Sequence, residues 1–145
     1  MLWITRSHVH VDRVACPWLI TRFIDSDAEF LFVPKNQIEA TVKRTGGIPF
    51  DTPGVVLGHN NGKCSFEAFL ANYEIIDKAL HRMAQIIHTA DTGDEESIDP
   101  MAAGLEAIAT GYSLLFPDDF TNLEEQFTVY DALYAWCKLD VAATR

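Results

Sequence analysis

The sequence predicts an α/β (α+β) protein with a small, largely parallel sheet of about three strands and a predominantly helical C-terminal half. Short apolar runs alternate with a helical pattern over the first sixty residues, which is typical of parallel strands joined by right-handed crossovers. From residue 65 onward the pattern is helical. A chain of 145 residues is long enough for one core, so we predict a single domain over residues 1–145.

The apolar runs in the first sixty residues predict the strands. "LWIT" (2–5), "AEFLFVP" (28–34) and "GVVLGH" (54–59) have the length and composition of strands, and Pro34 ends the second. Between the second and third, "PKNQIEATVKRTGG" (34–47) begins with proline and ends with glycine, as helices do.

The segment "HVHVDRVACPWLITRFID" (8–25) combines an apolar run with many ionisable groups. Proline is harmless at the first position of a helix but costs about 3 kcal/mol inside one. We therefore expect a regular helix from about Pro17 to Phe23, a tighter turn before it, and Cys16 at its N-cap.

Four further helices are expected after residue 64. The first, "SFEAFLANY", has Ser65 as a natural N-cap, and the second follows the cap Asp77 and runs to about Ala90. An acidic loop, "TGDEESIDP", precedes the remaining two, "PMAAGLEAIATGYSLLF" and "NLEEQFTVYDALYAWC".

Charge and composition exclude several classes of function. The net charge is −10, and only the first 50 residues carry a slight positive excess, so direct nucleic-acid binding is not expected. No apolar run reaches the roughly 18 residues of a membrane span, and no secretory signal is recognisable. We expect a cytoplasmic protein with reduced thiols and no nucleotide cofactor, since no glycine-rich fingerprint is present. The sequence is compatible with a homo-oligomer.

A candidate metal site follows the predicted third strand. Ligands bind outside the carboxyl ends of strands in open α/β sheets, and His59, Cys64 and Glu67 lie there with nitrogen, sulfur and oxygen donors. Asp91 and, as a further candidate, Asp131 are acids in unfavourable helical positions, at a helix C-terminus and beside an apolar stripe. The predicted ligands of a zinc, iron or manganese ion are His59, Glu67, Asp91 and Asp131. Alternatively, each group is satisfied by protein neighbours.

Two cysteines are candidate catalytic thiols. Cys64 and Cys16 both precede predicted helices, where the positive end of the helix lowers a thiol pKa. Packing in the core is the alternative for both, and it is the expectation for Cys137 on its aromatic stripe.

Three arginines near the N-terminus are candidate oxyanion ligands. Arg6, Arg13 and Arg22 lie within 17 residues, and planar guanidinium groups suit bidentate capture of an oxyanion. They could equally pair with Asp12, Asp91 and Asp131, in which case no anion site remains, and the sequence leaves both possibilities open.

A family resemblance adds a physiological context. The segments "WITR", "VDRVACPWLITRFID", "FLFVP", "PFD", "GV", "H" followed by "CSFEAF", "ADT", "AAGL" and "VYDALYAWC" resemble, in this order, the C-terminal domain of the ChrB chromate-resistance family. The resemblance implies a role in bacterial chromate resistance. Family members with an additional N-terminal domain look like chromate-responsive regulators.

The family pattern falls on many of the residues singled out above. Its matched positions are Arg6, Asp12, Arg13, Cys16, Trp18, Arg22, Asp25, His59, Cys64, Glu67, Asp91, Asp131, Tyr134, Trp136 and Cys137. One departure stands before "ADT", where the usual "VRG" is "IHT" and His88 replaces an arginine. His81 and His88 are seven residues apart on one helical face, and we expect both to be surface groups.

Three functional hypotheses follow from these residues. The first is a binding module that holds a metal ion or a small oxyanion. The second is a metal- or thiol-dependent redox enzyme acting on chromate or on reactive oxygen species, with Cys64 and His59 as the reacting pair. The third is an interaction domain whose ionisable groups are internal pairs. The sequence alone does not decide whether the protein is an enzyme.

Overall fold

A computed structural model describes residues 1–93 and 99–143. They form a three-stranded, fully parallel sheet in the order β2-β1-β3, with β1 at Leu2–Arg6, β2 at Glu29–Val33 and β3 at Ile48–Pro49. The α-helices are α1 (Val11–Leu19), α2 (Ile38–Thr45), α3 (Ser65–Asn72), α4 (Lys78–Thr92), α5 (Pro100–Leu115) and α6 (Asp119–Ala143). The predicted fold class is confirmed. The acidic loop that the sequence predicts overlaps residues 94–98, which lie outside the described residues.

Several predicted helix ends are confirmed in atomic detail. Asp77 caps α4 by accepting hydrogen bonds from the backbone N–H groups of Ala79 and Leu80 at 2.8 and 3.1 Å. Gly46 ends α2 with a left-handed φ of 73°, which favours glycine. Helix α3 begins at Ser65 as its first helical residue, so its N-cap is Cys64 and not Ser65.

Helix α1 begins six residues earlier than its sequence predicts. It runs from Val11 with Pro17 inside it, and a wider π-type turn over Ile20–Ile24 follows. Pro17 removes the hydrogen bond that an N–H there would donate to the Arg13 carbonyl. Every residue of α1 except Arg13 is buried, so the gain from packing outweighs that loss. The N-cap is His10, not Cys16.

The third strand is not "GVVLGH" but the preceding pair Ile48–Pro49, which aligns with Trp3 and Ile4 of β1. Pairing continues briefly, because Phe50 N–H donates to the Ile4 carbonyl at 3.0 Å. The chain then leaves the sheet at Asp51, whose φ is 47°. Val56 is 72% exposed and Leu57 is buried, so the apolar run that suggested a strand is a loop packed on the core at Leu57.

The core lies between the sheet and helices α1, α3, α4 and α6. Its largest fully buried side chains include Trp3, Trp18, Phe66, Phe69 and Tyr130. None of the helices formed by the described residues is both long and apolar enough to cross a bilayer. The fold thereby fixes the carboxyl ends of β1 and β3 against the start of α3, where the ionisable groups gather.

Candidate metal site at the carboxyl edge of the sheet

Four ionisable side chains from distant parts of the chain meet at this edge. Asp12 lies in the first turn of α1, Asp51 follows β3, His59 lies in the loop before α3, and Asp91 lies in the last turn of α4. We call these four residues the aspartate–histidine cluster.

His59 is the centre of the aspartate–histidine cluster. Its Nε2 atom lies 3.1 Å from an oxygen of Asp91, 3.2 Å from one of Asp51 and 3.5 Å from one of Asp12. The loop that carries it is held by Asn60, whose side-chain amide donates to the carbonyls of Val55, Val56 and Gly58 at 2.9 to 3.2 Å. One nitrogen therefore faces three carboxylates.

Asp12 is fixed by the N-terminus of α3. Its two oxygens accept hydrogen bonds from the backbone N–H groups of Ser65 at 2.7 Å and Phe66 at 3.1 Å. The Cys16 thiol donates to the same carboxylate at 3.3 Å. The exposed N–H groups at a helix start stabilise an anion, so Asp12 is a rigid, buried carboxylate.

Asp51 is held from two sides. The Ser65 hydroxyl donates to its Oδ1 at 2.8 Å, and the Arg13 guanidinium lies 3.5 Å from its Oδ2. Ser65 therefore links Asp51 to Asp12 through its hydroxyl and its backbone N–H. His59 Nε2 is therefore the neighbour that Asp12, Asp51 and Asp91 share.

The crowding of acids changes the titration of the aspartate–histidine cluster. Hydrogen bonds to Asp12 and Asp51 raise the pKa of His59 to about 10. Burial, followed by the nearby charges of Asp12 and Asp51, raises the pKa of Asp91 to about 7. Burial also raises the pKa of Asp12. A proton on His59 thus offsets carboxylate repulsion, which is the role that a bound cation would also fill.

Three of these residues have the spacing of metal ligands. One donor atom from each of Asp12, His59 and Asp91 lies within 4.8 Å of the others. Two carboxylates and an imidazole suit manganese, iron or zinc. Of the predicted ligands, His59 and Asp91 are therefore brought together, and Asp12 joins them.

Glu67 belongs to a neighbouring group. Its Oε1 atom accepts a hydrogen bond from the Cys64 N–H at 2.9 Å and lies 2.7 Å from Nδ1 of His88. Donor atoms of Cys64, Glu67 and His88 also lie within 4.8 Å of one another. We call these three the cysteine–glutamate–histidine cluster; it flanks the start of α3.

Asp131 does not join either cluster. Its carboxylate accepts hydrogen bonds from Trp18 Nε1 at 2.7 Å and from the Arg22 guanidinium at 3.0 Å on each oxygen. The hydrogen bond with Arg22 is the main reason that the pKa of Asp131 is lowered. The structure therefore favours an ion pair with Arg22, and not a role as metal ligand, for Asp131. The Arg22 guanidinium is engaged in the same ion pair.

The remaining arginines stay near the aspartate–histidine cluster. Arg6 lines a cavity of about 280 Å³ together with Asp51, Thr52 and His59. The Nε atoms of Arg6 and Arg13 are buried and have no hydrogen-bond partner among the described residues. Arg13 also donates from Nη2 to the His8 carbonyl at 2.9 Å.

The expected lowering of the thiol pKa values is wrong. Cys16 and Cys64 are fully buried, and desolvation together with the charge of Asp12 raises the pKa of both. The helix N-terminus near Cys64 does not outweigh burial and the charge of Asp12, because burial disfavours the thiolate. Cys137 is buried as well, in agreement with its predicted place in the core.

Sequence reasoning missed three members of the two clusters. Asp12 and Asp51 lie within the quoted segments "VDRVACPWLITRFID" and "PFD"; Asp51 follows β3, and Asp12 lies in the helix that follows β1, near the edge of the sheet where site residues are expected. Treating every acid after a strand as a candidate would have found both. His88 was interpreted as a surface group but is buried, and only the packing of α4 on α3 brings it to Glu67.

Two comparisons with known proteins identify the same family. A family model described as "ChrB, C-terminal domain" matches residues 3–137. Protein ChrB of Cupriavidus metallidurans is 38% identical over 133 residues, which are 91% of this chain. The chain spans 39% of that relative's length. No solved structure is significantly similar.

Proposed function

Because the chain belongs to the ChrB C-terminal domain family, we propose that it contributes to bacterial chromate resistance by binding a divalent metal ion at Asp12, His59 and Asp91. The single observation that carries the metal proposal is the environment of His59 Nε2, which has three carboxylates within 3.5 Å. A cation of higher charge than a proton stabilises such an arrangement better. Zinc, iron(II) and manganese(II) are the candidate ions.

Hydrogen bonds within the protein already orient two of the carboxylates at this site. Asp12 is already held by the N–H groups of α3, which is the kind of outer contact that orients a metal ligand. Asp51 lies beside the ligand set and is oriented by Ser65. Metal binding requires neutral His59 and ionised Asp91, so it should release protons at neutral pH.

The test is a metal titration of the chelator-treated protein. Bound metal is measured by elemental analysis and stabilisation by thermal unfolding, with zinc, iron(II) and manganese(II) supplied separately. We expect His59→Ala to lose one bound ion per chain. The matched control, His8→Asn, removes an exposed imidazole ahead of α1 at a left-handed φ of 65° that asparagine tolerates, and it should keep the wild-type stoichiometry. Equal metal content in wild type and His59→Ala would refute the metal proposal.

The link to chromate is tested separately in cells. Expression of the wild-type chain in a chromate-sensitive bacterium should raise chromate tolerance, and expression of His59→Ala at the same level should not. If both variants protect equally, the metal site is not the basis of resistance.

A second candidate function is oxyanion binding, and the cavity beside Arg6 favours it. Arg6 and the charged His59 line this space, and the Nε atom of Arg6 is buried without a hydrogen-bond partner among the described residues. Its volume, about 280 Å³, is several times the roughly 30 Å³ that one water occupies in the liquid. Asp51 lines the same cavity and repels an anion, so this candidate is weaker than the metal.

Calorimetric titration with chromate and sulfate distinguishes the two candidates. Oxyanion binding predicts that Arg6→Ala weakens chromate binding, whereas Arg44→Ala, which changes an exposed arginine on α2, does not. Identical affinities for the two variants would exclude a site at Arg6.

A further inference from the structure

The cysteine–glutamate–histidine cluster combines three kinds of donor on two packed helices. Cys64 is the N-cap of α3, Glu67 lies three residues later on the same helix, and His88 comes from α4. Residues three apart lie on one side of a helix, so Cys64 and Glu67 face the same neighbour. The distances place one donor atom of each residue within 4.8 Å of the other two.

The geometry points to a second metal site, in which the Cys64 thiolate, the Glu67 carboxylate and the His88 imidazole bind one zinc ion. This site shares no ligand with the aspartate–histidine cluster, and it does not depend on the function proposed above. Zinc is bound in proteins by the sulfur of Cys, the nitrogen of His and the oxygen of Asp or Glu. A tetrahedral ion with bonds of roughly 2.0 to 2.3 Å holds its ligands roughly 3.3 to 3.8 Å apart, so the ligands would need to move little.

Charge balance favours a divalent ion at this place. A thiolate and a carboxylate carry two negative charges, which one zinc ion neutralises while His88 stays neutral. Cys64 is fully buried and His88 is 8% exposed, and uncompensated charge in such surroundings is costly. The thiol proton leaves to solvent when the sulfur–zinc bond forms, and no electron is transferred.

The surrounding contacts supply orientation and access. Glu67 Oε1 accepts a hydrogen bond from the Cys64 N–H, which holds the carboxylate beside the sulfur atom. The short Glu67–His88 contact of 2.7 Å is a position where an ion can replace a proton. Glu67 is the ligand that lines a neighbouring cavity of about 270 Å³, and its side chain is 28% exposed, so an ion would reach the cluster at Glu67.

Cobalt(II) is the probe, because it occupies zinc sites and reports thiolate binding through a sulfur-to-cobalt charge-transfer band. The reduced, chelator-treated full chain is titrated with cobalt chloride and then with zinc chloride. We expect the band to appear in the wild type and to disappear when zinc displaces cobalt. The band should be absent in Cys64→Ser and unchanged in Cys137→Ser, the matched control that alters another buried thiol.

Two further variants make the result decisive. His59→Ala should keep the band although it loses the ion of the aspartate–histidine cluster, so failure of one site is distinguishable from failure of the other. If Cys64→Ser does not fold by circular dichroism, His88→Gln takes its place. It should weaken cobalt binding by more than the roughly 10- to 100-fold that loss of an outer-shell partner costs. No band in the wild type, a band in folded Cys64→Ser, or unchanged affinity in His88→Gln would overturn the proposal.

Discussion

Asp91 and Asp131 lie on two helices that pack against each other, yet they have opposite surroundings. Asp131 is 44% exposed and accepts three hydrogen bonds from Arg22 and Trp18, which lower its pKa. Asp91 is 15% exposed and shares one imidazole with two other acids, and its pKa is raised to about 7. An acid with its own cation is a structural ion pair, whereas acids that compete for one cation are typical of functional sites.

The largest expected effect comes from Asp12, which makes the aspartate–histidine cluster rigid. Asp12→Asn replaces an acceptor oxygen by a donor and leaves a buried N–H of Ser65 or Phe66 without its partner. We expect a loss of about 3 kcal/mol in the free energy of unfolding, measured by urea denaturation. Asp131→Asn is the matched control and should change it by about 1 kcal/mol or less. Similar losses in both variants would remove the distinction drawn between the two regions.

Gly58 tests whether the His59 loop must keep its shape. A Cβ atom at this position would lie 2.5 Å from the Thr52 carbonyl oxygen, so the loop has to shift. Gly58→Ala should cost about 2 kcal/mol and weaken metal binding in the titration described above. Gly111→Ala, where nothing lies within 4 Å of the new atom, is the control. Wild-type metal affinity in Gly58→Ala would mean that the loop geometry is not needed.

Asp91 predicts an unusual pH dependence for the metal-free protein. Its pKa of about 7 lies above the ordinary value of 3.8, so the folded state binds more protons than the unfolded state between about pH 4 and pH 7 and stability falls as pH rises through this window. The raised pKa of His59, about 10, continues the fall above about pH 6.5. Asp91→Asn should therefore stabilise the chelator-treated protein near pH 8, by on the order of 1 kcal/mol, while it abolishes metal binding.

Asp131 predicts the opposite sign. Its lowered pKa means that its contribution is present above the ordinary aspartate range and is lost as pH falls through the folded-state value. The unfolding temperature, measured from pH 3 to pH 9, should fall less steeply toward acidic pH in Asp131→Asn than in the wild type. In Asp91→Asn it should fall less steeply than in the wild type as the pH rises above about 4. An Asp91→Asn scan that runs parallel to the wild type would contradict the raised pKa.

The smallest effect is expected at Arg22. Its ion pair with Asp131 is bidentate but solvent-exposed on both sides, and its guanidinium also lies over the Phe127 ring at 5.4 Å. Arg22→Ala should cost roughly 0.2 to 1 kcal/mol, as exposed pairs do, and leave the metal content unchanged. A loss of metal in this variant would connect two regions that the structure separates.

The order of the elements could be predicted because it depends on local patterns. Asp77 and Gly46 act at helix ends as their residue types predict, and two of the three strands follow from short apolar runs. The two wrong predictions, the start of α1 and the third strand, also have identifiable causes. Pro17 is tolerated inside α1 because every residue of that helix except Arg13 is buried. The apolar residues Val55 and Val56 are part of a loop because Ile48–Pro49 forms the edge of the sheet before them.

The sequence by itself determined the fold class, the capped helices, the family, and that His59 and Asp91 were candidate ligands. Only the tertiary structure decided that Asp12 and Asp51 lie beside His59 and Asp91. It also decided that Glu67 contacts His88 and that Asp131 forms an ion pair with Arg22. The physical reason is that helix and strand periods fix which side chains share a face within one element. They do not fix which faces from segments tens of residues apart pack together, and burial, which raises the pKa values of Cys16 and Cys64, follows from that packing alone.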